Sequence, residues 1–169
     1  MPPVPAQMAK QFEMHYRKSG RGLLGDLIAD ELVDGRRVLY AGDHAVAYVP
    51  VCARYPYEVW LAPITPVARF AQLSAEQRSG LARALKTVLL KYDALWKRPF
   101  PYLMAWYQAP LDGAAHPEWH LHAQFYPPYR TATRLKYLAG TELAAGLYAM
   151  DALPEEKARE LQQVEVSLE

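Results

Sequence analysis

HPEWHLHAQFYPPYR, residues 116–130, alternates apolar and polar side chains until two prolines stop the run. Side chains alternate faces along a strand, so 119–126 reads as one. Trp119, Leu121, Ala123 and Phe125 then share a core face, and His120, His122, Gln124 and Tyr126 share the other. Two imidazoles, an amide and a phenol reach the same space. A neutral imidazole can attack phosphorus while neighbouring donors hold the oxygens that gain charge. Histidines at i and i+2 of a strand can also converge on a metal ion. The same row equally fits a polar sheet face whose histidines are only solvated.

Outward from this strand, YLMAWYQ (102–108) is a second one, joined to it by a loop bearing Gly, Pro and Asp. EVWLAPI (58–64), closed by Pro63, is a third. RRVLYAGDHAVAYVPV reads as a hairpin with its turn near Gly42. Ser74-Ala75-Glu76-Gln77 has capping-box spacing. The helix it opens carries Leu81, Leu85, Val88, Tyr92 and Leu95 on one face and ends before Pro99. Pro2, Pro3 and Pro5 predict an extended lead-in to a helix over 6–18 that stops at Gly20. Leu23, Leu24, Leu27, Ile28 and Leu32 form a helical stripe broken by Gly35, and PEEKARELQQV from Pro154 is a last helix. Five strand segments around one long helix, without βαβ alternation, define an antiparallel α+β domain spanning 1–169.

Composition narrows the function. With 51% hydrophobic and 22% charged residues the 169-residue chain is an ordinary globular one. A formal net charge of +1 carries no signature of nucleic-acid or membrane partners. Cys52 is the only cysteine, which excludes an internal disulfide and a thiolate zinc cage and suits the reducing cytoplasm. The N-terminal stretch lacks a signal-peptide pattern, and no run approaches the roughly 20 apolar residues that span a bilayer.

Five blocks carry a more specific message: ARYPYEVWLAP (53–63), SAEQRSGLARALKTVLLKYDALW (74–96), FPYLMAWYQAP (100–110), WHLHAQFYPP (119–128) and KYLAGTELAAG (136–146). In this order and spacing the chain, from Pro2 to about Gln163, resembles the C-terminal half of galactose-1-phosphate uridylyltransferase, a branch of the histidine-triad superfamily. The resemblance implies a histidine-triad-like antiparallel sheet flanked by helices. It also implies transfer of uridylyl from UDP-glucose to galactose 1-phosphate through a histidine of the N-terminal half. That nucleophile lies in a His-Pro-His-Gly-Gln motif, which does not occur here. The opening MPPVPAQM resembles the stretch that follows it, so the nucleophile is expected on a separate N-terminal chain.

Many members of the family hold an iron through one Glu and three His. Those positions fall here near Met8 and at Tyr107, His122 and Gln124, and a Cys-x-x-Cys of some relatives falls at Gly22 and Gly25. No metal or other cofactor is therefore expected in this chain. The family's Lys-Phe-x-Val-Gly-Tyr-Glu stretch reaches the active site of a neighbouring subunit, and here it reads Lys136-Tyr137-Leu138-Ala139-Gly140-Thr141-Glu142. The resemblance thus makes Lys136, Tyr137, Ala139 and Glu142 the substrate-binding candidates and implies an oligomer. A later Gln contact aligns with Tyr148. His120-Leu121-His122-Ala123-Gln124 keeps the His-x-His-x-Gln spacing of the family's catalytic strand. A self-sufficient enzyme would attack with His122, bond the phosphate with Gln124 and orient or protonate with His120. A non-catalytic nucleotide-sugar-binding remnant is the third reading. His15 and His44 read as surface or edge residues, His116 as a loop histidine, and Arg130 as a partner for phosphate or a surface carboxylate. Trp60, Trp96, Trp106 and Trp119 sit at core-type positions.

Overall fold

The computed structural model describes residues 1–168. Glu169, the last residue of the single domain expected over 1–169, lies outside them. Five antiparallel strands form the main sheet: β1 (Val38–Ala41), β2 (Ala45–Tyr48), β3 (Val59–Pro63), β4 (Leu103–Tyr107) and β5 (His122–Tyr126). Their order is β1-β2-β3-β5-β4, so β5 lies inside and β4 is an edge. Trp60 of β3 pairs with Gln124, and Tyr107 of β4 pairs with His122. A hairpin of β6 (Tyr129–Thr131) and β7 (Arg134–Leu135) follows β5.

Helices cover both faces. α1 (Pro3–Ser19) and α2 (Leu23–Asp34) lie on one side, and α3 (Ala75–Leu95) with α5 (Pro154–Gln162) on the other. A short α4 (Gly140–Ala145) sits between β7 and α5. The capping box at α3 is formed: Gln77 N donates to Ser74 Oγ at 3.1 Å and Ser74 N to Gln77 Oε1 at 3.0 Å. Leu81, Ala84, Val88 and Tyr92 of α3 bury against Ala45, Ala47, Val59, Leu61, Leu121, Ala123 and Phe125. Phe12, Leu24 and Ile28 pack over Val46, Tyr48 and Ala62 on the opposite face.

Two expectations change. α1 starts at Pro3 rather than after an extended lead-in, because the first helical turn needs no amide donors and accepts proline. Trp119 does not share the face of Leu121, Ala123 and Phe125. It joins the opposite cluster, 5.2 Å edge-on from Phe12, because regular strand begins only at His122 and the alternation cannot be extended back to 119. Trp60, Trp96 and Trp106 are half-buried and pack against the two cores. Among the described residues no helix is long and apolar enough to cross a membrane.

Candidate functional site

β5 brings the predicted polar row together, and a hydrogen-bond chain runs along it. His122 Nδ1–H donates to the His120 carbonyl at 2.8 Å, which makes Nε2 the lone-pair nitrogen. That lone pair accepts from Gln124 Nε2 at 3.0 Å. Gln124 Oε1 in turn accepts from Tyr126 Oη at 2.5 Å and from Arg54 Nη2 at 2.9 Å. Tyr107 Oη meets Tyr126 Oη at 3.0 Å and closes the row. His120 turns away, donating from Nε2 to the Pro63 carbonyl at 2.7 Å, and its buried Nδ1 has no hydrogen-bond partner among the described residues.

This row is roofed, not open. Phe12 of α1, Trp60 of β3 and Tyr107 of β4 surround the His122 imidazole, with the Tyr107 ring stacked on it at 5.2 Å. His122 is 1% exposed. Burial pushes both imidazoles down to about 4, against the carbonyl bond that each makes. His122 is therefore neutral at physiological pH, as an attacking imidazole must be, but its Nε2 is capped by an amide and its approach is walled by aromatic rings.

The positions that align with the family's metal ligands do converge. Tyr107 stacks on His122, Gln124 bonds it, and Met8 of α1 lines the cleft beside Gln124. Their chemistry does not fit a metal. Both His122 nitrogens are engaged, and the others offer a thioether, a phenol and an amide whose oxygen already has two donors.

Arg54 and Glu58, which the sequence reading passed over, organise the flank of the row. Glu58 is fully buried and accepts from the Arg54 amide at 2.7 Å, Arg54 Nη2 at 3.1 Å and Trp60 Nε1 at 2.8 Å. The Arg54 guanidinium lies 4.9 Å above the Tyr126 ring and 5.6 Å from that of Tyr148. The signal available in sequence was faint: an Arg–Glu pair four residues apart in RYPYE. Arg54, Trp60, Gln124 and Tyr148 line a cleft of about 510 Å³ together with Gln7 and Gln11 of α1.

The four substrate-binding candidates divide into two sets. Tyr137 is 84% exposed, and Ala139, also exposed, is the residue before α4. Lys136 and Glu142 instead face each other at 2.9 Å, their side chains only 6% and 2% exposed. Lys136 Nζ also donates to the carbonyls of Arg54 (2.7 Å) and Ala149 (2.8 Å). Glu142 accepts from the amides of Ala139 (2.5 Å) and Ala149 (3.2 Å), and these bonds, with Lys136, hold its carboxyl below the usual range.

The remaining singled-out residues lie elsewhere. His15 bonds Asp26 at 2.7 Å, and Arg130 pairs with Asp151 rather than facing the row. His116 is held between Glu118 (2.8 Å) and Asp112 (2.9 Å), and these two carboxylates raise its pKa. Among the described residues no group of three or more His, Cys, Asp or Glu is arranged to hold a metal ion.

A five-stranded antiparallel sheet with a polar histidine row on its inner strand places the domain in the histidine-triad-like class. A zinc-bound histidine triad family protein from Mycobacterium smegmatis shares the fold, with a TM-score of 0.52 at 14% identity over 80% of this chain and 89% of that one. Within that class the match is specific. The family described as galactose-1-phosphate uridyl transferase, C-terminal domain, matches residues 8–168, and the chain belongs to it. The galactose-1-phosphate uridylyltransferase of Thermotoga maritima is 37% identical over 134 residues, 78% of this chain and 42% of its own length. A solved uridylyltransferase superposes with a TM-score of 0.88 at 31% identity, over 96% of this chain and 50% of that one. The chain spans less than half the length of the curated relatives it matches.

Proposed function

We propose that this chain serves as the C-terminal half of a UDP-glucose–hexose-1-phosphate uridylyltransferase whose nucleophilic histidine stands on a separate N-terminal chain. The observation that carries this reading is the capped and walled-in Nε2 of His122, which leaves that imidazole without an attacking atom. Family membership supports the transferase chemistry. In this assembly Tyr137 and the backbone at Ala139 meet the sugar nucleotide across the subunit boundary. Lys136 and Glu142 shape the segment that carries them and bring one opposite charge each to its base, where phosphate and sugar hydroxyls compete for them.

The edge strand β4 supports docking of the other half. It carries Leu103 (73% exposed) and Met104, with Tyr102 and Phe70 also exposed beside it, and among the described residues no strand neighbours its outer side. The active assembly uses no metal at the His122 row.

Co-expression with a chain bearing the His-Pro-His-Gly-Gln motif tests the proposal. The expected result is a complex that co-purifies and transfers UMP between UDP-glucose and galactose 1-phosphate; no complex and no turnover would sink it. The cleft beside Gln124 favours one second reading, in which the isolated chain binds a nucleotide sugar without turnover. Calorimetry with UDP-glucose on the isolated chain separates the two: heat of binding in the absence of any partner supports this second reading.

A further inference from the structure

The segment from Lys136 to Tyr148 has little to hold it in place. α4 is six residues long, too short to persist alone, and its only buried residue is Glu142. Tyr137, Leu143 and Leu147 all project into solvent. Besides the bond from the Lys136 amide to the Pro128 carbonyl at 2.7 Å, its attachment to the sheet centres on the turn at Arg54 and Tyr55 between β2 and β3. The Arg54 carbonyl accepts from Lys136 Nζ at 2.7 Å, and Lys136 in turn ties Glu142 and the Ala149 carbonyl. The Arg54 guanidinium lies against Tyr148, and the Tyr55 ring stands 5.6 Å from the Lys136 ammonium and 6.3 Å from the Tyr148 ring. On its other side the same guanidinium grips β5, bonding Gln124 Oε1 and lying over Tyr126. Glu58 anchors Arg54 from below by backbone and side chain together.

We infer that Arg54 is a positioning residue that registers segment 136–148 against β5, and through it sets where Tyr137 and Ala139 meet substrate. The inference about the segment stands on the contacts above; its consequence for catalysis rests on the proposed transferase function. A planar guanidinium suits the task because it bonds an amide oxygen in its plane while stacking on rings above it, which an ammonium cannot do. The link is non-local on both sides: the guanidinium meets Gln124 and Tyr148, the Arg54 carbonyl meets Lys136, and the neighbouring Tyr55 ring lies between Tyr126 and Tyr148, so movement of the segment and the packing of Gln124 are coupled at Arg54.

Hydrogen exchange on Arg54→Lys tests it, with the amides of α3 as internal reference. Exchange at residues 139–149 is expected to speed up by about tenfold while α3 is unchanged. Lys136→Met removes a separate tie, the bond from Lys136 to the Arg54 carbonyl together with its pairing to Glu142, and is also expected to speed exchange at 139–149 with α3 unchanged. Since Arg54→Lys keeps a cation beside buried Glu58, folding is preserved. Should it nonetheless fail to fold, the double variant Arg54→Met/Glu58→Gln removes both charges and serves for the same measurement. Unchanged exchange at 139–149, or equal acceleration of the segment and α3, overturns the inference. In the assembled transferase, Arg54→Lys is expected to raise KM for the hexose phosphate several-fold with kcat within about twofold. Faster exchange with an unchanged KM upholds the hold of Arg54 on the segment and overturns the segment's role in substrate binding.

Discussion

His122 carries the chemistry of its neighbourhood in two hydrogen bonds, and both point into the protein. Replacing it with Gln leaves the Gln124 amide and the His120 carbonyl poorly matched in a site closed to water. His122→Gln is expected to cost about 1–3 kcal/mol at pH 7.5, read from urea unfolding. The ionisation of the row has its own signature. His120 and His122 are held down to about 4 by burial, whereas in the unfolded chain a histidine titrates near 6.5. Between those values the unfolded state binds more protons than the folded one, so the contribution of the pair is complete above about pH 6.5 and falls away as pH drops toward 4. Thermal midpoints measured from pH 7.5 to 4 should decline accordingly, and His122→Gln should show a shallower decline. His116 acts in the opposite sense: the Glu118 and Asp112 carboxylates raise its pKa, so its contribution is full below about 6.5 and is lost as pH rises through the folded value.

At the scale of elements, α3 and β4 make separable claims. Ser74 accepts the Gln77 amide at the start of α3, the helix that covers one face of the sheet, and Ser74→Ala is expected to cost about 1 kcal/mol by denaturant titration. Leu103 on β4 does the reverse. Exposed on an unpaired edge, Leu103→Lys should leave the domain's own stability within about 0.5 kcal/mol and weaken co-purification with an N-terminal chain. β5 and α3 were legible in sequence because each announces itself locally, by alternation and by the Ser–Gln box. Trp119 was misplaced because a period-two pattern says nothing about where pairing stops, and α1 started early because proline is excluded only from helix interiors. The enclosure of the histidine row was not legible, since its walls come from residues 12, 60 and 107 on three other elements. Arg54 was hidden for the same reason: its partners lie 70 and 82 positions away. The inward pairing of Lys136 and Glu142 is completed by the backbone of Ala149, which meets both side chains and which no short motif predicts.

The whole molecule is a sheet covered on both faces and open at one edge, with a short segment displayed beyond β7. In the proposed function this architecture supplies a displayed segment and an open edge while the His122 imidazole stays enclosed, so the activity is divided between chains. Labelling the transferred group tests that division most directly. UDP-glucose carrying radioactive phosphorus in its UMP moiety is given to the purified chain alone and to its complex with an N-terminal chain, and the covalently labelled histidine is mapped. No label is expected on this chain in either sample, and a uridylylated histidine is expected on the partner. A stable UMP adduct on His122 of the isolated chain would contradict that division.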